Sequence, residues 1–225
     1  MITNTKSLKR GGAKLFIATV ASLSIIACTP STDALGGKSP AEVQLAIQPF
    51  GAMEGDLLDT VLSSIKASYG FEVTLLPVIE LPESAFINVK SPRYRADTLL
   101  SYLKRIKQES FDYILGLTAK DISSTKLDVD GNVKLPKSRY EDWGIFGLGY
   151  RPGLVCVIST FRLKNPNRNL FIERLIKVCL HEIGHNLGLP HCTIGERCVM
   201  RDAAETIRTV DNVDAALCEH CLEKI

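Results

Sequence analysis

The stretch His181-Glu182-Ile183-Gly184-His185-Asn186-Leu187-Gly188-Leu189-Pro190-His191 constrains the fold of this chain more than any other. His181 and His185 lie four residues apart at the end of a predicted helix, Asn169 to Leu187. Four residues turn the helix by about 400°, so both imidazoles face one side, one turn apart. That pairing suits two ligands of one tetrahedral zinc ion. Glu182, beside the first histidine, is placed to take a proton from a water attacking a carbonyl. Gly188 can adopt a positive φ and end the helix, and Pro190 discourages its continuation. His191 can then swing back as a third nitrogen ligand. Three protein ligands leave a fourth position open, the mark of a catalytic rather than a structural zinc.

The residues after Leu187 lose apolar periodicity and fill with Gly, Cys and His, so metal must supply what packing cannot. Cys192 follows the third histidine directly, Cys198 and Met200 come next, and Cys218 and Cys221 form a CxxC pair. Four thiolates in two pairs suit a structural zinc within 192–221, stapling the loop after His191 to the C-terminal segment. Two disulfides are the competing reading for an exported chain. The CxxC spacing favours metal, because a Cys218–Cys221 bridge would close a very small loop. His220 reads as a spacer, and Cys156 and Cys179 as small buried hydrophobes in a strand and a helix.

Upstream, Val43 to Pro49 reads as a buried strand and Asp56 to Ser68 as an amphipathic helix stopped at Gly70. Phe71 to Leu81 is a second strand, Tyr94 to Ile106 a second helix, and Asp112 to Leu117 a third strand. Ser123 to Glu141 is an irregular excursion turning at Asp130-Gly131. Gly144 to Tyr150 and Leu154 to Ser159 form a hairpin. The β-α-β-α-β order predicts an α/β fold, a mixed sheet packed with helices.

The 225 residues suit one domain with a small appendage, and a net charge of +2 makes nucleic acid a poor partner. Lys6, Lys9, Arg10 and Lys14 precede an apolar run, Leu15 to Ala27, which is too short to span a bilayer comfortably. Ile25-Ile26-Ala27-Cys28 is similar to a bacterial lipobox, in which the cysteine is lipidated. Residues 1–27 are therefore expected to be a lipoprotein-type signal peptide, and 28–41 a Ser/Thr/Gly/Pro-rich tether. Residues 42–225 form the domain. Removing the leader's four basic residues from the 27 leaves 23 against 25 acidic groups.

Together these motifs resemble the archaemetzincin family. Its pattern, HExxHxxGxxHC, four residues, CxM, seventeen residues and CxxC, is met by His181 through Cys192, Cys198-Val199-Met200, Arg201 to Leu217 and Cys218-Glu219-His220-Cys221. One departure is Thr193 to Arg197, five residues where the family has four, accommodated at Gly195. Phe146-Gly147-Leu148-Gly149, the stretch Val155 to Leu163 and Glu173-Arg174-Leu175-Ile176-Lys177 also resemble the family. The resemblance implies a compact metzincin-like domain with a twisted mixed sheet. Met200 would form the Met-turn beneath the histidines, and the strand near Gly144 to Tyr150 would be an edge facing the cleft. It also implies peptidase activity, with aminopeptidase-like preference in some members.

The expectation is a peptidase with two zinc ions per chain, one catalytic and one structural. It would act on peptide or protein at the periplasmic face of a bacterial membrane, anchored through lipid on Cys28. A catalytically silent adaptor lipoprotein, using zinc only as scaffold, is the alternative.

Overall fold

The computed structural model describes Met1, residues 35–202 and residues 206–225. The expected signal peptide apart from Met1, the expected lipidation site Cys28 and the first half of the expected tether lie outside the described residues. Among the described residues no helix is long and apolar enough to cross a membrane.

The chain runs β1 (Gln44–Phe50), α1 (Gly55–Tyr69), β2 (Glu72–Leu75), β3 (Phe86–Asn88), β4 (Pro92–Arg95), α2 (Ala96–Ile106), β5 (Tyr113–Thr118) and β6 (Ile122–Ser124). It continues through α3 (Lys137–Tyr140), β7 (Trp143–Ile145), β8 (Gly147–Gly149), β9 (Val155–Ser159), α4 (Arg168–Asn186), α5 (Ile207–Asp211) and α6 (Glu219–Leu222). Five strands form the main sheet in the order β2-β1-β5-β9-β8, and four form a second sheet, β3-β4-β6-β7. The main sheet is parallel except for β8, which pairs antiparallel with β9.

Alternation along the central strands explains the layers. Leu45, Ile47, Leu115, Leu117, Cys156 and Ile158 point to one core, shared with α1 and α4. Ala46, Ile114, Val155 and Val157 point to the other, shared with Leu99, Leu100 and Leu103 of α2. Residues two apart on a strand share a face, so a sheet covered on both sides reads as a continuous apolar run. A Cβ on Gly116 would lie 2.7 Å from Leu103 Cδ1, so glycine there lets α2 approach. Helix α1 ends as its sequence predicts: Gly70 adopts φ 71° and its N–H donates to the Lys66 carbonyl. The side chain of Asn167 caps α4 by accepting from the Asn169 and Leu170 N–H groups.

Three segments differ from the sequence reading. The strand expected over Phe71 to Leu81 ends at Leu75, and only Ile79 rejoins the sheet, by a bridge to Phe50. Pro77 interrupts it, having no N–H for a ladder. The expected single strand Gly144 to Tyr150 breaks at Phe146, because β7 pairs with β6 in one sheet and β8 with β9 in the other. The excursion from Ser123 begins inside β6 and includes the single turn α3.

Candidate metal centre and catalytic cleft

Helix α4 carries His181, Glu182 and His185 across the core to the free edge at β8. Its end is a Schellman turn. Gly188 has φ 88°, its N–H donates to the His185 carbonyl, and the Leu189 N–H donates to the Gly184 carbonyl. The chain reverses there and brings His191 back. Ring centroids are 4.5 Å apart for His181 and His185, 5.0 Å for His185 and His191, and 5.4 Å for His181 and His191. One ring nitrogen from each lies within 4.8 Å of the others.

Backbone carbonyls set the tautomers of two rings. His181 Nδ1 lies 2.8 Å from the Val199 oxygen, and His185 Nδ1 lies 2.8 Å from the Leu189 oxygen. A carbonyl oxygen can only accept, so each Nδ1 carries the hydrogen and each Nε2 keeps its lone pair. Burial, followed by the neighbouring His185, lowers His181 to about 4, and burial also lowers His185. Both rings are therefore neutral at pH 7, the state that ligates a cation. His191 is more exposed, and its Nδ1 stands 4.0 Å from the Asp202 carboxylate. These three residues fit a divalent ion of nitrogen preference.

Glu182 is buried, and burial pushes its carboxyl up to about 8 against the lowering effect of the Gly149 N–H. It passes so close to β8 that a Cβ on Gly147 would lie 2.8 Å from Glu182 Oε1. A Cβ on Gly149 would lie 2.9 Å from the Glu182 carbonyl oxygen. Met200 is fully buried, and its sulfur stands 2.4 Å from where a Gly184 Cβ would be. Gly184 is three residues after His181 on α4, so Met200 packs against the helix face that carries that histidine. Tyr69 donates a 2.6 Å hydrogen bond to the Leu180 carbonyl, tying α1 to the residue before His181. Asn186 donates to the Tyr150 and Val155 carbonyls, tying α4 to the hairpin.

Behind His191 the four cysteines Cys192, Cys198, Cys218 and Cys221 gather with all sulfurs within 4.8 Å of one another. All four are free thiols, and Cys192–Cys218 and Cys198–Cys221 are each 3.7 Å apart. A disulfide needs about 2.05 Å. Four thiolates about 2.3 Å from one tetrahedral zinc lie about 3.8 Å apart. Backbone N–H groups already point at sulfur, Gly195 to Cys192 and Cys218 to Cys198. Burial raises Cys192, but the Gly195 and Ile194 N–H groups bring it down to about 7. The one-residue-longer loop does not displace Cys198 or Met200. Gly195 does more there than lend flexibility. A Cβ would lie 2.9 Å from Cys218 Sγ and 3.0 Å from Cys198 Cβ, so only glycine lets the loop close over the cluster. Cys156 and Cys179 are buried apart from this cluster, and burial pushes both thiols up.

The histidines and Glu182 open into a cavity of about 260 Å³, walled by β8, Phe146, Val178, Val199 and the segment carrying Val210 and Val213. Sequence reasoning missed Tyr69, the Val199 and Leu189 carbonyls, and the packing role of Gly147 and Gly149. It also left Lys177 of the cavity wall without a role, although Lys177 stands one helical turn before His181.

A mixed α/β domain with an HExxH helix under a free sheet edge defines the zinc metallopeptidases of metzincin type. Residues 42–225 match the model of Peptidase family M54, and the chain belongs to that family, the archaemetzincins. It is 32% identical over 193 residues to the archaemetzincin of Saccharolobus solfataricus, covering 82% of this chain and 93% of the relative. The Methanopyrus kandleri archaemetzincin is 33% identical over 144 residues, 64% of this chain and 71% of that one. Two solved structures are similar. Archaemetzincin from Archaeoglobus fulgidus, complexed with malonate, superposes with a TM-score of 0.65 at 27% identity, covering 81% of this chain and 100% of that one. That from Methanopyrus kandleri gives 0.66 at 28% identity, covering 84% and 96%. Membership makes this chain a zinc-dependent hydrolase of peptide bonds, and no comparison favours a silent adaptor.

Proposed function

We propose that His181, His185 and His191 hold the catalytic zinc and that Glu182 is the general base and acid of peptide-bond hydrolysis. The observation that carries this is the pair of Nδ1–carbonyl bonds, which leave two Nε2 lone pairs free in a cluster of three rings. When bound, zinc polarises the scissile carbonyl and acidifies water. Glu182 takes the proton of the attacking water and delivers it to the departing amine. With zinc held by the histidines, its charge would keep this buried carboxylate ionised. Met200 acts as the floor of that site. Substrate backbone pairs with the free edge of β8 by strand addition. A second zinc, held by Cys192, Cys198, Cys218 and Cys221, fixes the loop that carries His191.

Glu182→Gln tests the mechanism. It should retain zinc by metal analysis and lose roughly 10²–10⁴-fold in kcat; undiminished cleavage overturns the assignment. The aminopeptidase-like preference requires that peptides with free N-termini be cut faster than their acetylated forms. Export and anchoring rest on residues 6–28 alone. Metabolic labelling with palmitate should mark the wild-type chain and not Cys28→Ala, and membrane fractionation should follow the label.

A further inference from the structure

Two charged side chains of the cavity wall have no place in the mechanism above, Lys126, which lies over the Trp143 ring, and Lys177. Lys177 is only 3% exposed, yet it lines the same cavity as the three histidines and Glu182. It lies four residues before His181 on α4, so the two share a helical face about 6 Å apart along the axis. The rest of the wall is largely apolar, Val178, Val210 and Val213 among it, with Ser124 and Lys126 as further polar members.

An ammonium taken out of water is costly unless its donors are met. Lys177 has three donors. Its contact with a counter-charge is Glu173 Oε1 at 2.5 Å, and the Glu173 side chain is itself 53% exposed. One carboxylate oxygen cannot satisfy three donors. Asp211 and Asp214 also feel the charge of Lys177, but their hydrogen bonds run to arginines. Asp211 takes two hydrogen bonds from Arg174, and Asp214 is gripped by Arg197. The cavity is therefore a largely apolar slot with two lysines in its wall, and Lys177 has hydrogen-bond donors left to meet.

We infer that Lys177 is a specificity-determining residue that selects an acidic side chain, glutamate or aspartate, on the substrate residue entering this cavity beside the scissile bond. A carboxylate there completes the ammonium's hydrogen bonding in a dry setting. An aliphatic side chain would remove the remaining water and offer no acceptor. Sites built around a buried polar group discriminate strongly against analogues lacking its partner. The inference rests on the peptidase reading for the identity of the occupant, but not for the chemistry of the slot.

The experiment uses the full-length zinc-loaded chain and peptide sets differing only by Glu, Gln or Leu at each position flanking the cleaved bond. Wild type should favour Glu over Gln and Leu by tenfold or more in kcat/KM at one flanking position. Lys177→Met should reverse that order, raising kcat/KM for the Leu peptide while the Glu peptide falls. Lys177→Arg should keep the acidic preference, and Lys177→Gln serves where the Met variant does not fold. The same peptides are titrated calorimetrically into Glu182→Gln, which reads binding without turnover. Wild-type preference for Leu, equal treatment of Glu and Gln, or an acidic preference that survives Lys177→Met each overturns the inference. Glu-selective binding with no hydrolysis by wild type would support the slot and overturn the peptidase reading. Hydrolysis without Glu selectivity would do the reverse.

Discussion

At the scale of single residues, the site depends on glycines as much as on its ligands. Gly147 leaves room for Glu182, since a Cβ would fall 2.8 Å from both Cγ and Oε1. Gly147→Ala should therefore push the carboxylate off its position. We expect kcat to fall by about 10²-fold, the size of a 1 Å misplacement, with zinc content by mass spectrometry unchanged. Gly184→Ala would drive a methyl into the Met200 sulfur, 2.4 Å away. Overpacking of that kind costs roughly 1–3 kcal/mol, readable as a lower urea midpoint. His181 gives a pH signature for the metal-free chain, because burial lowers it to about 4 from 6.5. Between those values the unfolded chain takes up a proton that the folded chain refuses. Buried Glu182, raised to about 8, titrates in the opposite sense, so stability of the metal-free Glu182→Gln chain should fall as pH drops from 6.5 towards 4, measured as a shift in urea midpoint. A flat midpoint over that window would contradict the burial assigned to this ring.

At the scale of elements, the end of α4 sets where the third histidine goes. Gly188 holds φ 88°, and its turn presents the Leu189 carbonyl to His185. Gly188→Ala should cost about 1 kcal/mol or more, because alanine does not favour that conformation, and should weaken zinc retention against a chelator. Helix α5 is fastened to α4 by Arg174 and Asp211, whose carboxyl the guanidinium holds below its ordinary value. A lowered carboxyl stabilises the fold above its unfolded pKa and loses that contribution as pH falls through the folded one. Asp211→Asn should cost about 1 kcal/mol at pH 7, the scale of a partly exposed charged hydrogen bond. The difference from wild type should begin to shrink as pH falls below 3.8 and vanish only below the lowered folded value.

At the scale of the whole molecule, the five-stranded sheet supplies the rigid frame, while the segment after Leu187 adds Leu189, Val199, Met200 and Val210 to the core but holds only two short helices of its own among the described residues. Cys192, Cys198, Cys218 and Cys221 join two pieces of that segment into one unit behind His191. Native mass spectrometry should find two zinc ions per chain. Cys218→Ser with Cys221→Ser should leave one or none and lower Tm by several degrees, since structural metal contributes folding energy directly. A zinc-free chain lighter by four hydrogen atoms would instead reveal two disulfides.

The sequence alone determined the local logic. The four-residue spacing of His181 and His185, the turn at Gly188, the apolar runs of β1 and β5 and the cysteine spacing all follow from helix, strand and ligand geometry acting within a few residues. Tertiary structure decided what depends on distant partners. Chain spacing does not announce that Val199 would orient His181, or that Tyr69 would brace Leu180 from 111 residues away. It does not show that the run Gly144 to Tyr150 serves two sheets, because strand pairing is chosen by neighbours rather than by the strand itself. Nor does it show that Lys177, an ordinary polar residue by pattern, is shut into the wall of the cleft. Burial belongs to the assembled fold, and only there does a common side chain acquire an uncommon chemistry.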